Sequence, residues 1–127
     1  MLKQEENATR PAEEQVRTYY DLVDSGDVAG LVALFTPDAV YFRPGHEQPF
    51  AGHAQISEFY TAGRVIDTGS HRLAQVMADR DGVAVHGEFR GVLKDGTRVA
   101  FRFADFFALA PDGRFSRRDT YYFMPPM

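Results

Sequence analysis

The sequence predicts an α+β domain, with three N-terminal helices packed on one face of a curved antiparallel sheet. Three observations carry that expectation. Up to residue 60, apolar residues recur at helical spacing: Val16, Tyr19, Tyr20 and Val23, then Val28, Leu31, Leu34 and Phe35, then Ile56, Phe59 and Tyr60. After about residue 70 the period becomes two, in HRLAQVM (71–77), VAVHGEFRGVL (83–93), RVAFRFADFFAL (98–109) and RFSRRDTYYF (114–123). Between those runs stand DRDG, KDGT and APDG, each with a glycine where a hairpin calls for positive φ.

The elements follow in order as ααβαββββ. Residues 1–10 are expected as a flexible tail. Pro11 with Glu13 and Glu14 suits a first helical turn, where proline loses no bond and carboxylates meet the dipole. DSGD (24–27) breaks that helix, and Asp27 can cap the next. Pro37 is expected to stop the second helix. AVYFR (39–43) reads as a short strand and RPGHEQPFAG (43–52) as a loop. The single domain therefore spans 11–123, with 124–127 as a C-terminal tail.

Composition narrows the function classes. The 127 residues carry 44% hydrophobic and 25% charged side chains, as an ordinary globular chain does. A net charge of −4 gives no basic surface for nucleic acid or an anionic membrane. Without cysteine there is no disulfide, thiolate catalysis or cysteine-based metal site. No histidine pair has metal-motif spacing, and no phosphate loop, dinucleotide fingerprint or nucleophile elbow is present, so neither metal nor cofactor is expected. The polar start MLKQEENATR lacks the apolar core of a signal peptide, and no run reaches membrane-spanning length; a cytoplasmic location is the expectation.

The run FRFADFFAL (101–109) poses the chemical question, because an acid inside an aromatic strand is costly unless paired or protonated. With Asp95 and Gly96 as a two-residue turn, Val92 pairs with Val99, Arg90 with Phe101, Glu88 with Phe103 and His86 with Asp105. Those eight residues then share the cavity face. Val85, Gly87, Phe89, Ala100, Ala104 and Phe106 fall on the other face, an apolar patch expected to form a homodimer. Phe101, Phe103 and Phe107 exclude water around Asp105, so a protonated or proton-sharing acid is expected. The run Arg117, Arg118, Asp119 reads as a solvated or interface face. His46 and His53 read as solvated or capping.

VRTYYDLVDSGDVAGLVALFTPDAV (16–40), GHAQISEFY (52–60) and FADFFALAPDG (103–113) resemble the SnoaL-like branch of the nuclear transport factor 2-like superfamily. The resemblance implies a cystatin-like cone in which the sheet and helices enclose a deep pocket for a small hydrophobic ligand. Relatives include ketosteroid isomerases, polyketide cyclases, epoxide hydrolases, dehydratases and non-catalytic binding domains. By analogy with ketosteroid isomerase, Tyr19 and Asp105 would hold a substrate oxygen, Asp105 as a neutral acid. The isomerase's general-base position is held by Arg43, which cannot accept a proton near neutral pH. Against the epoxide hydrolases, His86 and Glu88 fall at the arginine and aspartate positions, Thr120 at the second aspartate, and Tyr41 at a water-positioning tyrosine. His71 loosely matches a dehydratase histidine.

Two functional classes follow. One is a cofactor-free enzyme of isomerase or cyclase type, with hydrolase or dehydratase chemistry as the alternative. In it Tyr19 and Asp105 hold the oxygen, Arg43 orients an acidic group, and His86 or Glu88 moves the proton. Tyr41, Phe59, Phe101, Phe103 and Phe107 would line the cavity, with Thr120 and Tyr122 on the last strand. Loop 43–52 would gate it, with Phe50 closing the apolar wall. The other class is a non-catalytic binding or dimerisation module. The discriminating feature is a proton acceptor within reach of the oxygen-holding groups.

Overall fold

A computed structural model describes residues 2–123, with side chains from Arg10 onward. The expected tail at 124–127 lies outside the described residues. Helix α1 (Leu2–Ser25) buries Val16, Tyr19, Tyr20 and Val23 as the spacing required. It begins at Leu2 and not at Pro11, which sits inside it. Most residues of LKQEENATR are good helix formers, and they carry the helix past the one backbone bond that proline removes. Gly26, at φ +78°, ends α1, and the Asp27 carboxylate accepts from the Gly30 N–H at 2.9 Å to cap the single-turn α2 (Val28–Val32).

Beyond α2 the chain departs from the expected helix. Strand β1 (Phe35–Phe42) starts where that helix was expected to continue and runs through Pro37. The proline is tolerated because the pairing of β1 with β6 is irregular between Phe35 and Val40, so no ladder bond is needed there. A two-residue strand β2 (Phe50–Ala51) pairs with β1 and leads into α3 (Gly52–Glu58), which ends in a π-helical turn (Phe59–Gly63). Strands β3 (Ile66–Ala78), β4 (Gly82–Leu93), β5 (Arg98–Leu109) and β6 (Phe115–Phe123) form the expected meander. The curved, unclosed sheet has the order β2-β1-β6-β5-β4-β3. All its pairs are antiparallel except β1–β6, which is parallel because β1 arrives from the helical layer. The α+β architecture predicted from sequence is the one observed.

One register differs, and it moves residues between faces. Val85 pairs with Asp105, Gly87 with Phe103, Phe89 with Phe101 and Gly91 with Val99. The Leu93 N–H bonds to Thr97 O and the Gly96 N–H to Leu93 O, so the connection has three residues, Lys94-Asp95-Gly96, and not two. A two-residue type I′ turn would need positive φ at Asp95 as well; among the described residues only glycines have it. Asp95 instead accepts from the Thr97 N–H at 2.9 Å. The extra residue flips all of β4 relative to the expected register. His86 and Glu88 are exposed on the outer face, while Val85, Gly87 and Phe89, expected outside, are buried inside. In the DRDG connection Gly82 also departs from expectation, because its φ is not positive.

The pairing of β3 with β4 is irregular at two points, between Leu73 and Gln75 and between Ile66 and Thr68, near Gly87 and Gly91 of β4. Opposite the first shift, a Cβ on Gly87 would stand 2.1 Å from the Arg72 carbonyl oxygen. That neighbour is backbone and cannot swing aside. Gly87→Ala should therefore cost about 3 kcal/mol in denaturant unfolding. Gly63→Ala, whose Cβ would meet the Phe59 ring at 3.7 Å and the Glu58 carbonyl oxygen at 3.9 Å in ordinary contact, should leave the midpoint near that of the wild type.

Candidate functional site

Strand alternation and register place a charged pair at the floor of the sheet's concave face. Asp105 on β5 pairs with Thr120 on β6, and Arg118 lies two residues along on the same side of β6. The Arg118 guanidinium grips the carboxylate with two bonds, Nε to Oδ1 at 3.1 Å and Nη2 to Oδ2 at 2.9 Å. Tyr20 and Thr120 each donate a hydroxyl to the same carboxylate. Both charged residues are buried.

Those partners answer the question raised by FRFADFFAL. Every group around Asp105 donates, and a close cation is present, so the residue is an ionised salt-bridge partner and not the expected neutral acid. Burial, and next the charge of Asp105, hold the Tyr20 hydroxyl pKa well above the ordinary range. Burial works against the Arg118 charge, but Asp105 and then Tyr19 and Tyr41 outweigh it, so its pKa rises further.

The cluster extends through tyrosines. Arg118 Nη1 donates to the hydroxyls of Tyr60, at 2.8 Å, and of Tyr19, and the two hydroxyls bond each other. The guanidinium carbon lies 4.5 Å from the Tyr41 ring centroid. Tyr19 thus contacts Arg118 and Tyr60, while its neighbour Tyr20, which was not singled out in the sequence, makes the bond to Asp105. Burial comes first among the causes that raise the pKa of Tyr19 and of Tyr60, so both hydroxyls keep their protons.

Above this floor lies a cavity of about 20 Å³, room for roughly one water. Asp105, Arg118, Thr120 and Tyr60 bound its polar side, and Phe89, Phe101, Phe103 and Ile66 its apolar side. Arg43, Phe59, Tyr122, Arg64, Val23 and His71 complete it. Of the residues expected in a pocket, Asp105, Thr120, Tyr122, Arg43, Phe59, Phe101 and Phe103 line this one. Tyr19, Tyr41 and Phe107 are buried behind its wall. Phe50 packs on Phe59, with ring centroids 4.8 Å apart, and faces a separate surface groove.

His86 and Glu88 reach none of it. The His86 ring bonds the exposed Gln75 side chain at 3.1 Å, and Glu88 stands between Arg72 and Arg102 on the outer face. The histidine that does line the cavity is His71. Its Nδ1 meets Asp24 Oδ1 at 2.6 Å, and its backbone N–H donates to Asp24 Oδ2 at 2.8 Å. A carboxylate on Nδ1 fixes the proton there in the neutral ring, which leaves the Nε2 lone pair available. No protein group among the described residues bonds Nε2. The ring packs between Tyr20 and Phe89, at centroid distances of 4.9 and 4.8 Å.

Arg118 was legible in principle. It shares strand parity with Thr120 and Tyr122, both expected in the cavity, so the alternation that admits them admits Arg118 and expels Arg117 and Asp119. Asp24 had no comparable signal, since its partner is 47 residues away. Among the described residues no group of three histidines or acids could hold a metal. Nor, among the described residues, is any helix long and apolar enough to cross a membrane.

The buried pair yields a direct test. Asp105→Asn should lose about 3–5 kcal/mol, because it strands a buried guanidinium. The double variant Asp105→Leu, Arg118→Leu should be the more stable of the two, since no charge remains buried. Chemical denaturation of both variants checks the order.

Comparison with known proteins agrees with this architecture. A family model described as a SnoaL-like domain matches residues 16–118. Among solved structures, the chain is similar to SalBIII, described as an epoxide hydrolase/cyclase-like enzyme in pyran ring formation in the polyether salinomycin. That match has a TM-score of 0.80 and 23% identity, and covers 91% of this chain and 92% of the other. TerC, co-crystallised with polyporic acid, gives a TM-score of 0.77 at 21% identity over 89% and 92% of the two chains. An NTF2-like protein of unknown function from Exiguobacterium sp. 255-15 gives 0.76 at 18% identity over 87% and 99%. A family match spanning most of the chain places this protein in the SnoaL-like family, and its fold is similar to that of an NTF2-like protein.

Proposed function

We propose that this protein is a cofactor-independent acid–base catalyst of isomerase or cyclase type, acting on a small, largely apolar molecule that bears a carbonyl or similar oxygen. The observation that carries the reading is the His71–Asp24 dyad on the wall of a cavity whose floor is Arg118 with its tyrosines. His71 Nε2 accepts a proton from carbon or from a nucleophile, and Asp24 stabilises the imidazolium that forms. The substrate oxygen accepts from Tyr60, whose own oxygen is held by Arg118 and Tyr19, so charge developing on it is met by a fixed cation. A ring-forming or epoxide-opening addition needs the same donor and acceptor and is the second reading, supported by the pyran ring formation named for the SalBIII structure.

The cavity as it stands admits little more than a water. Binding a substrate therefore requires the Arg43 and Arg64 side chains, or the loop of residues 43–49, to move outward. Outside the cone, Phe106, Tyr121 and Phe123 are 51%, 58% and 61% exposed. With Arg72, Glu88 and Arg102 in one row across β3, β4 and β5, that face pairs apolar area with charges of both signs. It suits a two-fold homodimer. Sedimentation should show a dimer at micromolar concentration that Tyr121→Glu with Phe123→Glu dissociates; a monomeric wild type would end this part of the proposal.

Proton abstraction is tested with 2-tetralone in deuterated buffer, following loss of its α-proton signal. The wild type should accelerate exchange, and His71→Asn should reduce the protein-dependent rate by about 10²–10⁴. Asp24→Asn should fall between them. Exchange no faster with wild type than with His71→Asn would leave the non-catalytic class standing. On the alkaline side the rate should hold through the ordinary tyrosine range, because burial raises the pKa of Tyr19 and Tyr60 above it. A rate-versus-pH profile reads this limb.

A further inference from the structure

The charges on the cavity wall do not balance. Arg43, Arg64 and Arg118 line it, and among the described residues Asp105 is the only acid that does. Asp105 is committed to Arg118. Asp24 binds His71 from outside the lining. Among the described residues no carboxylate lies within 4 Å of Arg43 or of Arg64.

Arg43 is the better placed of the two. One N–H goes to the Tyr41 hydroxyl at 2.8 Å, and the rings of Phe59 and Tyr122 lie 4.8 and 5.0 Å from its guanidinium carbon. Those contacts hold the group in place and use one of its five donors. The others are left for an acceptor approaching in the guanidinium plane. A half-buried cation without a counter-ion binds an anion more strongly than an exposed one does, since less of the attraction is lost to water.

We propose that the ligand of this cavity is itself an anion, a flat apolar molecule carrying an ionised carboxylate that Arg43 binds edge-on. This rests on the cavity being the substrate site of the function proposed above. The aromatic walls of Phe89, Phe101 and Phe103 receive the apolar body, and a planar acid suits the narrow space better than a tetrahedral phosphate does. The carboxylate on Arg43 orients the body so that the reacting carbon and oxygen fall between His71 and Tyr60. Arg43 is thereby a binding residue that selects for charge.

The experiment titrates wild type, Arg43→Gln and Arg43→Lys with 2-naphthoate and with its uncharged methyl ester, following ligand fluorescence. Wild type should bind the acid tighter than the ester by roughly 10-fold or more. Arg43→Gln should bring the two affinities together, and Arg43→Lys should keep part of the preference. Thermal melts confirm that each variant is folded. Equal affinity of wild type for acid and ester, or a preference that survives in Arg43→Gln, overturns the proposal. If tetralone exchange is catalysed without an acid preference, the catalytic reading stands and this one fails. An acid preference without exchange activity gives the reverse. Binding of neither probe defeats the cavity as a ligand site and this proposal with it.

Discussion

The bond between Asp105 and Arg118 sets conditions that the surrounding structure has to meet. Taking two ions out of water costs several kcal/mol each, and their attraction offsets this only when the remaining lone pairs and protons are also satisfied. Here they are, and no buried polar side-chain atom among the described residues lacks a partner. The satisfying groups come from far apart in the chain: Tyr19 and Tyr20 from α1, Tyr60 from the π turn, and Thr120 from β6. The pair therefore acts as a junction. A one-residue slip between β5 and β6 would carry Arg118 to the outer face and leave Asp105 unpaired, so the pair selects one register at little net gain in stability.

The same alternation explains what was and was not legible in the sequence. RVAFRFADFFAL was read with the bounds that β5 has, because an unbroken period of two fixes a strand by itself. The face of Asp105 followed from it. The face of β4 depended on one further fact, the number of residues in the KDG connection, and that fact is conformational. Asp-Gly serves both two- and three-residue loops, and only the φ of Asp95 distinguishes them. Arg118 was missed for another reason. A run of three charged residues suggests solvent, yet a strand must send alternate members to opposite faces, and one of the three had to go inside. Asp24 and His71 meet only because α1 lies across β3, and no local pattern carries that contact.

Two of the three cavity arginines show how context divides one chemistry into two arrangements. Arg118 has its anion built in, so it contributes a fixed field to the tyrosine hydroxyls around it. Arg43 has aromatic rings and a neutral hydroxyl instead, which position a guanidinium without neutralising it. The first arrangement is complete in itself. The second, on the proposal above, is the one a ligand would complete.

The π turn after α3 joins these roles. In a regular α-helix adjacent residues point about 100° apart, and two neighbours seldom serve one cavity. The wider turn at Phe59–Gly63 allows it: Phe59 lies against Arg43, while the next residue, Tyr60, reaches Arg118 with its hydroxyl. Thr61 accompanies the irregularity by donating to the carbonyls of Ser57 and Glu58 at 3.1 and 3.3 Å, where the backbone ladder is disturbed. On the function proposed above, the residue that braces the ligand-binding Arg43 and the residue that donates to the substrate oxygen are neighbours on this one turn. The spacing between the two roles is thus set by five residues of uncommon helix.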